Sequence, residues 1–131
     1  MDTESTKALL RRWYDEMWFP RNSALVPELA GPIYTRHEFG ASRQVTAEEY
    51  EAQVRSLQET HEFTDMRYRL VGEDDHVVAI GTWLANGKQW SWVQAFRAEN
   101  GKLVETWLSG IGMESKWDDA VYANLEIREP C

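Results

Sequence analysis

Two Asn-Gly pairs, Asn86-Gly87 and Asn100-Gly101, constrain the fold of this chain more than any other feature. Asn-Gly is favoured in the two-residue turn that joins adjacent antiparallel strands, because both turn residues need a positive φ. Each pair lies between segments that alternate like strands, and a further strand-like segment precedes them. The sequence therefore predicts an antiparallel meander of four strands, in FTDMRYRLV, HVVAIGTWLAN, KQWSWVQAFRA and KLVETWLSGIGM.

A two-residue turn at Asn86-Gly87 sets the strand register and therefore decides which side chains share a face. It pairs Trp83 with Trp90 and Gly81 with Trp92, so that small residues lie opposite large ones. A two-residue turn at the second pair extends the same face onto the last strand. In that register the face pairs Phe96 with Glu105, Gln94 with Trp107, Trp92 with Ser109 and Trp90 with Ile111.

This aromatic face has two interpretations, and the sequence leaves both open. Its four indoles form either a packed core under the helices or the lining of a pocket for an apolar small molecule. Buried indole N–H groups need acceptors, which favours a pocket slightly. The opposite face is also apolar and needs a cover of its own, which a second copy of the protein would provide.

Helical periodicity marks the N-terminal segment and a central segment. Apolar residues recur at three- and four-residue spacing from Leu9 to Trp18, which predicts an amphipathic helix. Thr46 and Glu49 have the spacing of a capping box at the start of a longer helix. A short helix in SALVPELA, capped by Ser23, is expected between them. Helices followed by an antiparallel meander are typical of an α+β domain.

The segment YTRHEFG, between the short and the long helix, alternates like a strand. The pattern predicts that Ile33, His37 and Phe39 point to the interior and that Tyr34 and Arg36 point to solvent. A histidine can exchange a proton near neutral pH and favours its neutral form in an apolar pocket. His37 is therefore predicted as a general base, and the alternative is a core imidazole bonded to the backbone or to a helix.

Length and charge exclude several classes of protein. A chain of 131 residues is expected to form one domain, 1–131, with a single core. The net charge of −8 disfavours binding to nucleic acids and to anionic membranes. Cys131 is the only cysteine and the histidines lack a ligand spacing, so no metal is predicted. The start, MDTESTKALL, lacks the pattern of a signal peptide, so a cytoplasmic protein is expected.

The order of elements, ending in ENGKLVETW, resembles the superfamily of nuclear transport factor two, ketosteroid isomerase and the SnoaL-like polyketide cyclases. The resemblance covers residues 6–113 and leaves a tail, 114–131. It implies a cone-shaped α+β barrel, with N-terminal helices packed on a curved, mostly antiparallel sheet. This fold hosts enzymes, binding proteins and assembly subunits, so it predicts chemistry poorly.

The resemblance also implies roles for single residues. HEFG, residues 37–40, is similar to the Asp-Pro-Phe-Gly of ketosteroid isomerases, which places His37 at the position of their base. The helix tyrosine of those enzymes aligns with Trp13, one residue before Tyr14. The acid-base aspartate of SnoaL-type cyclases falls at Ile111. The family's usual carboxylates are thus missing, which keeps a protein without catalytic activity open as an alternative.

The sequence as a whole predicts an enzyme that transfers protons on an apolar polyketide-, steroid- or terpenoid-like carbonyl compound and needs no cofactor. The predicted catalytic residues are His37 as base, Tyr14, Gln94 and Ser109 as donors to the oxygen, and Glu105 as an acid or a structural partner. The predicted substrate-binding residues are Trp13, Met17, Trp83, Trp90, Trp92, Trp107 and Ile111. A ligand carrier and a protein-interaction module are the alternatives, and a homodimer is expected in every case.

Overall fold

The computed structural model describes residues 1–113 and the strand at 126–128. The helices form the N-terminal part of the fold, and the first of them changes from α-helical to π-helical at Trp13. The helical elements are α1 (Thr3–Arg12), a π-helical turn (Trp13–Trp18), a 3-10 turn (Ser23–Leu25), α2 (Val26–Leu29) and α3 (Ala47–Thr60). None of the helices in the described part of the chain is long and apolar enough to cross a membrane.

The strands form one curved sheet that does not close into a barrel. They are β1 (Ala30–Glu38), β2 (Ala41–Thr46), β3 (Phe63–Glu73), β4 (His76–Ala85), β5 (Lys88–Glu99), β6 (Lys102–Met113) and β7 (Glu126–Arg128). Their order across the sheet is β2-β1-β6-β5-β4-β3-β7. Among the described strand pairs only β1 and β6 run parallel, so the predicted α+β fold with helices on a mostly antiparallel sheet is confirmed.

Local signals in the sequence predicted the helices well. The apolar stripe of the first helix is buried, from Leu9 through Trp18. Thr46 and Glu49 form the predicted capping box, with hydrogen bonds of 3.0 and 3.1 Å between their side chains and backbone N–H groups. The predicted cap at Ser23 is wrong, because Ser23 lies in the 3-10 turn and α2 begins at Val26 without a side-chain cap.

The helices cover one side of the sheet, called here the helix-facing side, and the opposite side is called the outer side. The β4–β5 hairpin has the predicted register, with Trp83 opposite Trp90 and Gly81 opposite Trp92. Trp83 and Trp92 are buried on the helix-facing side, and Trp90 packs against the same core. This part of the aromatic face is therefore confirmed.

The β5–β6 hairpin departs from the predicted register. Its turn is the expected one, but a bulge next to Arg97 puts Arg97, and not Phe96, opposite Glu105. One extra residue on β6 turns the following side chains to the other face. Glu105 and Trp107 therefore lie on the outer side, so their predicted placement is wrong. A second bulge returns Ile111 to the helix-facing side, opposite Trp92 and not Trp90.

The two faces of β1 are also reversed relative to the prediction. Tyr34 and Arg36 are buried at 0% and 5% exposure, whereas Ile33 and Phe39 are 44% and 62% exposed. The alternation predicts Arg36 on the solvent face, but Arg36 is buried and its guanidinium donates to Glu38 and Gln53. His37 consequently lies on the outer side, paired with Trp107 across β1 and β6.

Candidate functional site

A cavity of about 260 Å³ lies between the first helix, α3 and the helix-facing side of the sheet. Seven of the residues predicted to form the site line it. They are Tyr14 and Gln94 from the predicted catalytic set, and Trp13, Trp83, Trp90, Trp92 and Ile111 from the predicted binding set. The aromatic face is thus partly core and partly cavity wall, which joins the two interpretations that the sequence left open.

The walls of the cavity are aromatic rings in mutual contact. The ring of Tyr14 stacks on Trp92 with centroids 5.2 Å apart, and Trp92 lies 5.6 Å from Trp83. Gly81 makes room for this arrangement, because a Cβ atom there would lie 2.4 Å from the Trp92 ring. Rings held in this way present flat apolar surfaces, which suit a ring-bearing ligand.

Three polar groups of these walls have no hydrogen-bond partner among the described residues. They are the Tyr14 hydroxyl and the indole N–H groups of Trp83 and Trp92, all buried. Burial raises the pKa of Tyr14 well above its usual value of 10.0, so the hydroxyl keeps its proton and can donate. Buried polar groups in proteins are nearly always paired, and unpaired donors beside a cavity suggest an acceptor on a ligand.

A charged cluster that the sequence reasoning missed also lines this cavity. Arg36 donates from Nε to Glu38 Oε1 at 2.8 Å and from Nη1 to the side-chain oxygen of Gln53. Its guanidinium lies 4.6 Å from the ring centre of Tyr50. The Arg36-x-Glu38 spacing was the available signal for this cluster, because it places two opposite charges on the same face of a strand, where they can pair when buried. Among the described residues that line the cavity, Glu38 is the only one with a carboxylate.

Phe39 lies beside this cluster in the turn between β1 and β2. Phe39 and Gly40 both have positive φ, at 54° and 81°, and Glu38 pairs with Ala41. This is a two-residue turn in which Phe39 holds a conformation that bulky residues rarely adopt. Phe39 is 62% exposed as a residue and contributes to the cavity lining.

Five predicted site residues lie away from the cavity. His37 is on the outer side of the sheet because the faces of β1 are reversed, and Glu105 and Trp107 are there because of the first bulge on β6. Ser109 is exposed at the second bulge of β6. Met17 is fully buried in the core under the first helix, where its backbone oxygen accepts from Gln58 at 3.1 Å.

The residues displaced to the outer side form a cluster of their own. His37 Nε2 lies 2.7 Å from Glu105 Oε2, and His37 Nδ1 lies 2.7 Å from the hydroxyl oxygen of Ser42. Arg97 donates from Nε to Glu105 Oε1 at 3.0 Å. Partial burial alone would raise the pKa of Glu105, but the bonds from His37 and Arg97 outweigh it and lower that pKa below its usual value. Trp107 stacks on the imidazole of His37 at 5.4 Å.

The described residues contain no group of three His, Cys, Asp or Glu side chains able to hold a metal ion. The outer-side histidines His37 and His76 instead bond to Glu105 and Asp75, respectively. Both imidazoles stack on Trp107, at 5.4 and 5.7 Å.

Solved structures of other proteins share this architecture. A candidate polyketide cyclase from Acidithiobacillus ferrooxidans superposes with a TM-score of 0.70 at 20% identity, over 81% of this chain and 87% of that one. A protein of unknown function from Burkholderia xenovorans, described as NTF2-like, superposes with a TM-score of 0.69 at 12% identity, over 90% of this chain and 89% of that one. The chain has the NTF2-like fold. The family resemblance inferred from the sequence is therefore confirmed at the level of fold.

The NTF2-like fold does not by itself indicate what the chain does. No protein-family model and no curated protein matches the sequence. A de novo designed protein with a curved β-sheet also superposes, with a TM-score of 0.63 at 16% identity, over 82% of this chain and 86% of that one. An NTF2-like backbone can thus be built without a natural function, so the function has to be argued from the side chains of the site.

Proposed function

We propose that the protein binds a small, largely apolar, ring-bearing molecule in the aromatic cavity and holds an acceptor oxygen of that molecule deep inside. The observation that carries this proposal is the set of buried donors on Tyr14, Trp83 and Trp92 that have no hydrogen-bond partner in the described part of the chain. A carbonyl oxygen is the simplest group that accepts from such donors without needing an acceptor in return. Polyketide-, steroid- and terpenoid-like ketones combine a carbonyl with a flat apolar body.

The size of the cavity supports a ligand of modest dimensions. A volume of about 260 Å³ is slightly below the range of about 300–1,000 Å³ that is typical of small-molecule sites. A compound of one or two rings suits this volume better than a four-ring steroid in the described conformation. Arg36 and Glu38, which also line the cavity, would contact polar substituents of the ligand.

A matched pair of glycine variants tests whether ligands occupy the cavity. Gly81→Ala forces the Trp92 ring to move, whereas Gly110→Ala adds a Cβ with no atom within 4 Å. A panel of one- and two-ring ketones is screened by tryptophan fluorescence and by thermal shift, since a ligand that binds only the folded state raises Tm. We expect Gly81→Ala to weaken binding at least tenfold and Gly110→Ala to leave it unchanged. Equal affinities in wild type and Gly81→Ala would refute binding in this cavity.

Proton transfer on the bound ketone is the second candidate, and the Glu38 carboxylate favours it. The predicted base, His37, lies on the outer side, but Glu38 lines the cavity that Tyr14 also lines. A carboxylate base and a hydroxyl that stabilises the developing oxyanion are the two groups that enolisation requires. The bidentate contact with Arg36 opposes this role, because it stabilises the charged form of the carboxylate.

Hydrogen exchange on the ligand separates binding from catalysis. A ketone from the panel is incubated with the protein in D₂O, and deuterium at its α-carbon is followed by NMR. Exchange that is faster than in buffer and is lost in Glu38→Gln would establish proton transfer with Glu38 as base. A bound ketone recovered without deuterium would leave the protein as a carrier or sensor.

The expected homodimer stays a prediction. The outer side of the sheet exposes apolar side chains that a second copy could cover, among them Ile33, Val71 and Val93. Sedimentation of the purified protein measures its oligomeric state directly. An interaction module would instead need a different partner protein on this surface.

A further inference from the structure

The outer-side cluster contains a serine, a histidine and a carboxylate in one hydrogen-bonded line. Ser42 Oγ and Glu105 Oε2 lie on opposite edges of the His37 imidazole, each 2.7 Å from a ring nitrogen. A nucleophile within hydrogen-bond reach of a base that a third group orients is the arrangement of covalent acyl-transfer sites. The cluster lies on the opposite side of the sheet from the cavity and is independent of the function proposed there.

The partners of the imidazole determine which nitrogen carries its proton. Glu105 also accepts from Arg97 at 3.0 Å, so it is present as a carboxylate and can only accept from His37 Nε2. In the neutral imidazole the proton is therefore on Nε2, and Nδ1 is left as an acceptor. The hydroxyl of Ser42 is the donor that faces it, as required for a base that removes the serine proton.

Two contacts hold the base in this orientation. Trp107 stacks on the His37 ring at 5.4 Å with an interplanar angle of 18°, which restricts rotation of the imidazole. Arg97 bonds the second oxygen of Glu105 and is itself paired with Glu99 at 2.7 Å. The carboxylate is thus fixed at both oxygens and cannot turn away from His37 without losing a partner.

The site is open to solvent. Ser42 is exposed, and the side chains of His37 and Glu105 are 30% and 21% exposed. Ser42 lies on β2, which ends the strand order and pairs with β1 alone among the described strands. The free edge of such a strand presents backbone N–H groups, and these can donate to an oxyanion formed at an attacked carbonyl.

We propose that Ser42, His37 and Glu105 form a second, outer-side site that transfers acyl groups from small activated esters to water. Ser42 Oγ forms a bond to the acyl carbon and passes its proton to His37 Nδ1, and the alcohol leaves with that proton. Water then attacks the acyl carbon and loses a proton to His37. The bond between the acyl carbon and Ser42 Oγ breaks, His37 returns the proton to Oγ, and the acid departs. Glu105 is a positioning residue, since it touches the imidazole and not the ester.

Acetylation by p-nitrophenyl acetate tests this proposal on the wild-type chain without any variant. Release of p-nitrophenol is followed by absorbance, and the acetylated residue is mapped by mass spectrometry of peptides. Ser56 is the internal reference, because it is an exposed serine on α3. We expect Ser42 to be acetylated at least 100-fold faster than Ser56. Equal rates at the two serines would overturn the proposal.

Variants then assign the roles. Ser42→Ala and His37→Ala should each remove the fast acetylation, and Ser56→Ala should retain it. Glu105→Gln should lower the maximal acetylation rate by an order of magnitude or more and leave the half-saturating ester concentration unchanged, because it disturbs only the imidazole tautomer. Fast acetylation of Ser42 that persists in His37→Ala would overturn the proposal. Ketone binding in the cavity is measured on the same Ser42→Ala protein and should be unchanged, so failure here and failure of the cavity proposal are separate results.

Discussion

The unpaired hydroxyl of Tyr14 leads to an unusual prediction, that its removal stabilises the protein. Tyr14 is 2% exposed, and its hydroxyl has no partner among the described residues. A buried hydroxyl without a hydrogen bond costs about 1–3 kcal/mol. Tyr14→Phe removes this cost and retains the ring that stacks on Trp92 at 5.2 Å. We expect the free energy of unfolding to rise by about 1 kcal/mol, which corresponds to a Tm increase of roughly 3–5 °C for a chain of this length.

Tyr68 provides the matched control for this experiment. Its ring lies 4.9 Å from that of Tyr14 and is equally buried, but its hydroxyl donates to Asp15 Oδ1 at 2.9 Å. Tyr68→Phe deletes a made hydrogen bond to a carboxylate and should lower the free energy of unfolding by about 1–2 kcal/mol. Urea denaturation followed by tryptophan fluorescence measures both variants under the same conditions.

The two variants together can refute the reasoning. If Tyr14→Phe destabilises the protein as much as Tyr68→Phe does, the Tyr14 hydroxyl has a partner in solution and is not reserved for a ligand. If Tyr14→Phe is stabilising, the same variant should bind a ketone of the cavity about fivefold to tenfold more weakly, which corresponds to one lost hydrogen bond of about 1 kcal/mol. Greater stability with unchanged affinity would exclude Tyr14 from ligand binding.

Three further predictions concern other parts of the fold. Gly81→Ala should lower the free energy of unfolding by about 1–3 kcal/mol through overpacking against Trp92, whereas Gly110→Ala should be neutral in the same denaturation experiment. Arg36→Met should cost about 3 kcal/mol, because it leaves the Glu38 carboxylate largely buried without its guanidinium partner, and a cost below 1 kcal/mol would contradict the buried pairing. Folding lowers the pKa of Glu105, so its contribution to stability is complete above the unfolded value of about 4.5 and is lost as pH falls through the folded pKa. The free energy of unfolding should therefore differ between wild type and Glu105→Gln by at most about 1 kcal/mol at pH 6. In an acid titration this difference should shrink towards pH 3.

Signals that act over a few residues predicted much of the fold. The turn at Asn86-Gly87 determined the register of β4 and β5, because both its residues adopt positive φ as the turn requires, at 52° and 79°. The box of Thr46 and Glu49 located the start of α3. In each case the chain's own neighbours decide the geometry, so the pattern is readable without knowing the rest of the molecule.

Bulges are the reason that part of the site was misplaced. The first bulge, at Val104, lies in a run without glycine or proline, so the sequence does not mark it. The second bulge lies at Ser109 and Gly110, where a glycine inside the strand was an available signal. The bulge near Arg97 moved Glu105 and Trp107 to the outer side, and the second bulge brought Ile111 back. The prediction for β1 failed for a different reason: Arg36 is buried with Glu38, which neutralises its charge, and with Gln53 of α3, a neutral acceptor. The Arg36-x-Glu38 spacing was a signal for the first partner, but the sequence of the strand could not indicate the contact with Gln53.

The observed faces of β1 and β6 place two chemically distinct groups of side chains on opposite sides of a single sheet. β1 and β6 are parallel neighbours, so a reversal of faces in both strands moves His37 and Glu105 to the outer side together and brings their side chains to 2.7 Å. The cavity side then retains donors and apolar rings, with Glu38 as its carboxylate in contact with Arg36. A hydrogen-bonded line of hydroxyl, imidazole and carboxylate lies on the outer side. The proposed binding in the cavity and the proposed proton transfer through His37 can therefore be tested separately, and we expect a variant on either side of the sheet to remove one without the other.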